Sequence, residues 1–89
     1  MEFKAVGVSF ENRQEILSSL YALSRPATLD LCPEPDNAYD PNAVAIWSEF
    51  GKVGYIARDC THLVADRHIT RYRFLGSPAS ILGLIITVE

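Results

Sequence analysis

The sequence predicts a mainly β domain: a small six-stranded antiparallel barrel, or strongly curved sheet, with two short helices at its ends. Three observations predict it. Six segments carry strand patterning, and only two carry helical spacing. Their order is βαβββαββ, which lacks the regular strand–helix alternation of a parallel sheet. The 89 residues suit a single domain spanning 1–89, with one modest core and little stability to spare.

The first strand is read at residues 3–9, where Phe3, Ala5 and Gly7 alternate with Lys4, Val6 and Val8. Gly7 within it signals a bulge or the close approach of another backbone or a ligand, and Phe10 stands at the strand's exit. A helix follows, with Asn12 as N-cap and Glu15 completing an imperfect capping box. Ile16, Leu17, Leu20, Tyr21 and Leu23 share one face. Pro26 ends the helix, because a residue before proline avoids the α region.

Residues 27–32 form the second strand, with Leu29 and Leu31 on one face and Thr28, Asp30 and Cys32 on the other. The third strand, 43–48, sends Val44 and Ile46 one way and Ala45 and Trp47 the other. A turn at 49–52 around Gly51 leads into a fourth strand at 53–56, giving a hairpin. A short helix is expected over 58–67, capped by Asp59, with Cys60, Leu63 and Val64 as its apolar stripe. The fifth strand is 70–75, with Tyr72 and Phe74 on one face and Arg71 and Arg73 on the other. The sixth is 81–88, with Leu82, Leu84, Ile86 and Val88 facing the core and Gly83 and Thr87 outward.

Between the second and third strands lies the most unusual stretch. Pro33, Pro35 and Pro41 remove three backbone donors, so no helix or ladder is expected to run through it. Asp36, Asn37, Asp40 and Asn42 have short side chains that bond back to the backbone and build tight turns. One aromatic residue, Tyr39, sits within this stiff polar loop.

Composition narrows the function classes. The net charge is −3, from eight basic and eleven acidic residues, which argues against a nucleic-acid binder that uses its whole surface. A small site with locally placed positive charge remains open. The longest apolar run, 81–86, is too short to span a bilayer. Residues 1–9 lack the layout of a signal peptide, so a cytoplasmic chain with no membrane partner is expected. In that setting Cys32 and Cys60 are expected as reduced thiols.

Candidate sites were weighed against plainer roles. Glu34, Asp36 and Asp40 offer oxygen ligands, but no calcium-loop spacing is present and turn building accounts for them. Cys60, His62 and His68, with Cys32, lack the usual zinc spacing. No nucleophile elbow, phosphate loop or zincin motif occurs, so neither enzyme activity nor a cofactor is expected. A single-stranded nucleic-acid site is the further candidate: Phe10, Tyr39 and Phe74 offer stacking faces, while Arg58, Arg71 and Arg73 offer cations. Asn37 and Asp40 can bond a base edge or a sugar hydroxyl; a carboxylate repels phosphate, so Asp40 favours a strand end over a continuous backbone. On composition alone the plainer reading is the stronger one: Phe10 and Phe74 core, the arginines a solvated face and Tyr39 a loop clamp.

Residues 37–44, Asn-Ala-Tyr-Asp-Pro-Asn-Ala-Val, followed by Val53-Gly54-Tyr55-Ile56 and preceded by Val6-Gly7-Val8-Ser9-Phe10, resemble a HIRAN domain over nearly the whole chain. That family occurs at the N-terminus of some SWI/SNF-type DNA helicases and translocases, and as a stand-alone protein in bacteria and phages. The resemblance implies an OB-like or SH3-like barrel that captures the 3′-hydroxyl end of single-stranded DNA. It implies that Tyr39 stacks on the terminal base and Asp40 bonds the 3′-hydroxyl. Phe10 would be a second stacking aromatic, Asn37 a polar contact or loop holder, and Arg58 a phosphate contact. The implied partners are single-stranded DNA ends and a helicase or nuclease, in DNA repair or replication-fork processing. The chain departs from the family pattern at Pro33, where a basic residue is common, at Ala38, where proline is common, and at Ser9, where some DNA-binding members carry arginine. Those departures favour an alternative: a protein-interaction module with little DNA affinity, monomeric or weakly dimeric through its edge strands.

Overall fold

The computed structural model describes residues 1–89. Its elements are β1 (Glu2–Lys4), α1 (Arg13–Tyr21), β2 (Leu29–Pro33), β3 (Val44–Ser48), β4 (Gly51–Tyr55), a 3-10 helix (Arg58–Val64), β5 (Ile69–Leu75) and β6 (Gly83–Val88). The mainly β class and the six antiparallel strands are as expected. The strands do not close into one barrel: they form two three-stranded sheets, ordered β1-β6-β5 and β2-β3-β4. The sheets meet through an isolated bridge in which Val6 and Tyr55 exchange both backbone hydrogen bonds at 2.9 Å. Elsewhere a side chain ties them, as the Ala27 amide donates to the Tyr72 hydroxyl at 2.7 Å.

The core is built from strand alternation. Leu84, Ile86 and Val88 on β6, together with Leu82 just before it, are fully buried beside Ile46, Val53 and Leu17. On α1, Ile16, Leu17 and Leu20 face this core as their spacing requires, while Tyr21 stays half-exposed with its ring edge against Phe74. Each fully buried aliphatic side chain contributes about 1.5–3 kcal/mol. Tyr72 and Phe74 pack against the same core, which makes Phe74 structural.

Several local expectations are corrected. The first strand is short: β1 stops at Lys4 because the chain then crosses to the other sheet, where Val6 bridges Tyr55; beyond it, Gly7 at φ +69° and the left-handed Glu11 turn residues 7–12 and leave Phe10 outward. Asn12 precedes α1 but makes no capping hydrogen bond. Gln14 anchors the helix instead: its Nε2 donates to the carbonyls of Val8 and Leu82, and its Oε1 accepts from the Leu82 amide, each at 2.9 Å. The second helix is a 3-10 turn without a side-chain cap, which fits a short run containing Thr, Cys, His and Val, all weak helix formers. Its Leu63 is exposed and only Val64 is deeply buried.

Pro33 is not outside the ladder; it closes β2 opposite Val44. It is tolerated because β2 is an edge strand, so one missing amide breaks no second ladder. Ala45 is buried, although it lies on the face opposite Ile46, because it is flanked by Cys32 and Tyr55 on the neighbouring strands. Gly83 is buried rather than outward, packed against Leu75. Cys32 and Cys60 are not bonded to each other, and no helix is long and apolar enough to cross a membrane.

Candidate nucleic-acid interface

The loop from Glu34 to Ala43 is fixed by its own short side chains. Glu34 and Ala43 close its base, with the Glu34 amide donating to the Ala43 carbonyl at 2.8 Å. Asn37 Oδ1 accepts from the amides of Tyr39 (2.9 Å) and Asp40 (3.0 Å), and Asp40 Oδ1 accepts from the Asn42 amide at 2.9 Å. These side-chain-to-backbone bonds replace the ladder that the prolines forbid. They hold Tyr39 at the loop tip with its side chain in water, the residue being 93% exposed.

Beneath the loop lies a polar network that sequence reading missed. Glu34 Oε1 accepts from Asn37 Nδ2 (3.0 Å) and from the Tyr55 hydroxyl (2.7 Å). Lys52 Nζ lies 2.8 Å from Glu34 Oε2 and donates to the Tyr55 hydroxyl at 2.7 Å. Burial alone would raise the Glu34 carboxyl, but the bonds from Lys52, Asn37 and Tyr55 outweigh it and lower the pKa from 4.5 to about 2. Burial alone would lower Lys52; its bonds to Glu34 and Tyr55 raise it instead. The loop is thus bolted to β4 by a charge-assisted cluster rather than by backbone pairing.

Arg13 forms the adjoining wall. It is buried, donates to the Gly7 carbonyl at 2.7 Å, and pairs with Glu11 at 2.7 Å. Its guanidinium carbon lies 5.1 Å from the Tyr55 ring centroid, a cation–π distance, while its Nε has no hydrogen-bond partner. A side chain at Gly7 would meet Arg13 Nη1 at 3.0 Å, so the close approach anticipated at Gly7 is made by this arginine.

These parts enclose a cleft of about 560 Å³, lined by Phe10, Tyr39, Asn37, Tyr55, Lys52 and Arg13 among others. Of the residues singled out from sequence, Phe10, Asn37 and Tyr39 therefore share one cleft. Phe10 is 65% exposed, which removes the reading that made it core. Asn37 holds the loop, since both its amide oxygen and its nitrogen are already bonded. Asp40 and Arg58 sit beside the cleft, with Arg58 Nε 3.8 Å from Asp40 Oδ2. That distance exceeds a hydrogen bond, and the Arg58 side chain is 84% exposed, so the ion pair is loose and leaves most of the guanidinium facing solvent.

Lys52, Tyr55 and Arg13 went unrecognised for identifiable reasons. In the β3–β4 pairing, Ala45 faces Tyr55, Ile46 faces Gly54 and Trp47 faces Lys52, so Val53 is an extra, bulged residue. The bulge lets Lys52 and Tyr55, three apart, meet at one hydroxyl, which a strict period of two forbids. No group of three or more His, Cys, Asp and Glu side chains is placed to hold a metal ion.

No curated protein and no solved structure matches the chain. A family model does: that of the HIRAN domain, matched over residues 1–72, which takes in the Phe10 turn, the Tyr39 loop and the β3–β4 hairpin. By that match over most of its length, the chain belongs to the HIRAN domain family.

Proposed function

We propose that this chain is a non-enzymatic module that binds nucleic acid, and specifically the 3′-hydroxyl end of single-stranded DNA. The observation that carries the reading is one cleft with two exposed aromatics, Phe10 and Tyr39, above a floor that holds Lys52 and Arg13. Stacking faces are what single-strand binders use; here the floor is charge-compensated, Arg13 by Glu11 and Lys52 by Glu34, so the aromatics carry the reading. Tyr39 stacks on the terminal base and Phe10 on a second. Asp40 keeps Oδ1 on the Asn42 amide; its Oδ2, loosely faced by Arg58 at 3.8 Å on a side chain 16% exposed, is the oxygen left to accept from a sugar hydroxyl. Arg58, beside it, meets the last phosphate. A 3′-phosphate would place its charge against Asp40, so a free hydroxyl is preferred. End capture of this kind suits DNA repair or fork processing alongside a helicase or nuclease.

Fluorescence anisotropy with oligonucleotides ending in 3′-hydroxyl or 3′-phosphate tests this. Preference for the hydroxyl end supports it; equal affinity for both ends, or no binding at low salt, sinks it.

One observation favours a second reading, a protein-interaction module. Five of the eight basic residues, Arg13, Arg25, Lys52, Arg58 and Arg73, already face carboxylates within 4.0 Å. Such pairing leaves little positive charge for phosphates and leaves edge strands such as β5 as the available surface. Capture of a partner that survives nuclease treatment would favour that reading.

A further inference from the structure

The cleft does not end at Lys52. A second hollow of about 320 Å³, lined by Trp47, Phe50 and Ile16, shares Glu11, Arg13 and Lys52 with it. Trp47 (41% exposed) and Phe50 (48% exposed) therefore put two further exposed aromatics on a hollow that adjoins the Tyr39 and Phe10 cleft. Lys52 links the two: its Nζ lies 4.8 Å from the Tyr55 ring centroid on one side and 5.9 Å from the Trp47 ring centroid on the other. Of its three donors, two are used by Glu34 and the Tyr55 hydroxyl, which leaves one for a ligand.

The turn that carries Phe50 is fixed. The Phe50 amide donates to Ser48 Oγ at 3.1 Å, and Ser48 Oγ donates to the Gly51 carbonyl at 2.8 Å. Gly51 adopts φ +132° with Ile16 packed against it, which presses the turn onto α1. Phe50 is thus held outward by a rigid turn, at no benefit to the core.

We propose that Trp47 and Phe50 form a second stacking subsite, for the nucleotides upstream of the captured DNA end. The proposal rests on the end-binding reading above. Two arguments select a DNA strand as occupant. The hollow is continuous with the Tyr39 cleft through three shared residues, so one extended ligand can run across both. The shared residues are all charged, and charge at the middle of the patch is the reverse of a protein interface, whose centre is depleted of charge. Because Arg13 and Lys52 are already paired with Glu11 and Glu34, stacking supplies the affinity in this stretch.

Trp47 is the only tryptophan, so its fluorescence reports on the subsite directly. The experiment compares 3′-hydroxyl oligothymidylates of about two and about eight nucleotides, the longer within the range that one small domain covers. The longer oligonucleotide is expected to quench Trp47 and to bind at least about fivefold more tightly than the shorter, a modest return for one stacked base. Trp47→Ala and Phe50→Ala should each remove most of that gain, leave the short oligonucleotide unaffected, and melt near the wild-type temperature; Trp47→Phe should retain most of it. No length advantage, or a variant that weakens both lengths equally, overturns the subsite and leaves end capture standing. Self-association through Trp47 and Phe50 that the long oligonucleotide does not displace overturns it too. Failure of the wild type to bind either length defeats the end-binding reading, and the subsite with it.

Discussion

Replacing Glu34 with glutamine tests whether the Tyr39 loop is held by charge. The substitution keeps size and shape but removes the negative charge that Lys52, Tyr55 and Asn37 all address. A carboxyl lowered from 4.5 to about 2 corresponds, at about 1.36 kcal/mol per pH unit, to a ceiling of about 3 kcal/mol. The Glu34 and Lys52 side chains are each 23% exposed, so solvent screening discounts that ceiling to about 2 kcal/mol. For a domain of this size, about 2 kcal/mol lowers Tm by about 8–16 °C. Because the folded pKa is depressed, the stabilisation is complete above 4.5 and is lost as pH falls through about 2. About three-fifths of it should remain near pH ~3.5, and about a quarter near pH ~2.5. The assay is denaturant unfolding of wild type and Glu34→Gln across that range. A variant as stable as wild type at neutral pH, or a gap that does not narrow on acidification, would refute the network's role.

Two further outcomes follow from the geometry. Tyr39→Ala should weaken binding of a 3′-hydroxyl oligonucleotide by about 1–3 kcal/mol in anisotropy, the value of one stacked base; because the side chain is exposed, Tm should move by less than about 2 °C. Gly54→Ala should destabilise the domain by about 1–3 kcal/mol, since the added methyl would meet the Val6 carbonyl oxygen at 2.8 Å and spread the Val6–Tyr55 bridge; unchanged thermal unfolding would show that the two sheets are joined by something else.

What was legible in the sequence was periodic. Leu82, Leu84, Ile86 and Val88 announced their burial by alternation, and Ile16, Leu17 and Leu20 by helical spacing. The exposed aromatic of the loop was legible for a different reason: Tyr39 sits among residues that build turns, and the structure leaves it in water rather than clamping the loop. The floor of the cleft was hidden because it depends on a bulge and on distant partners. Lys52 reaches Tyr55 only because Val53 is an extra residue in the pairing, and Glu34 meets Lys52 and Tyr55 from the far side of the 34–43 loop, 21 residues away in the case of Tyr55. Gln14 reaches Leu82 over 68 residues, a contact that no local pattern encodes. Barrel closure was over-read: six strands in antiparallel order do not say whether the ladder closes, and here the edges of β2 and β5 stay unjoined.

The acidic balance and the DNA-end reading can be reconciled through salt dependence. Affinity for single strands falls with log salt at a slope of about −0.7 per phosphate contacted. Near Tyr39, Arg58 and the one free donor on Lys52 allow one or two contacts, so the slope should lie between about −0.7 and −1.4. Raising salt from about 50 to about 200 mM should then cost only about three- to sevenfold in affinity. A module that tracked the backbone with six contacts would lose more than about a hundredfold over the same interval. Titrating a 3′-hydroxyl oligonucleotide at several salt concentrations separates the two. A shallow slope fits an end held by stacking and one hydroxyl contact, for which net acidity is no obstacle. A slope steeper than about −3 requires cations the cleft does not contain. Lys4, Arg67 and Arg71 are the basic residues free of ion pairs, and none of them lines it. Such a result would move the strand onto the face of β5 and leave Tyr39 without its ligand.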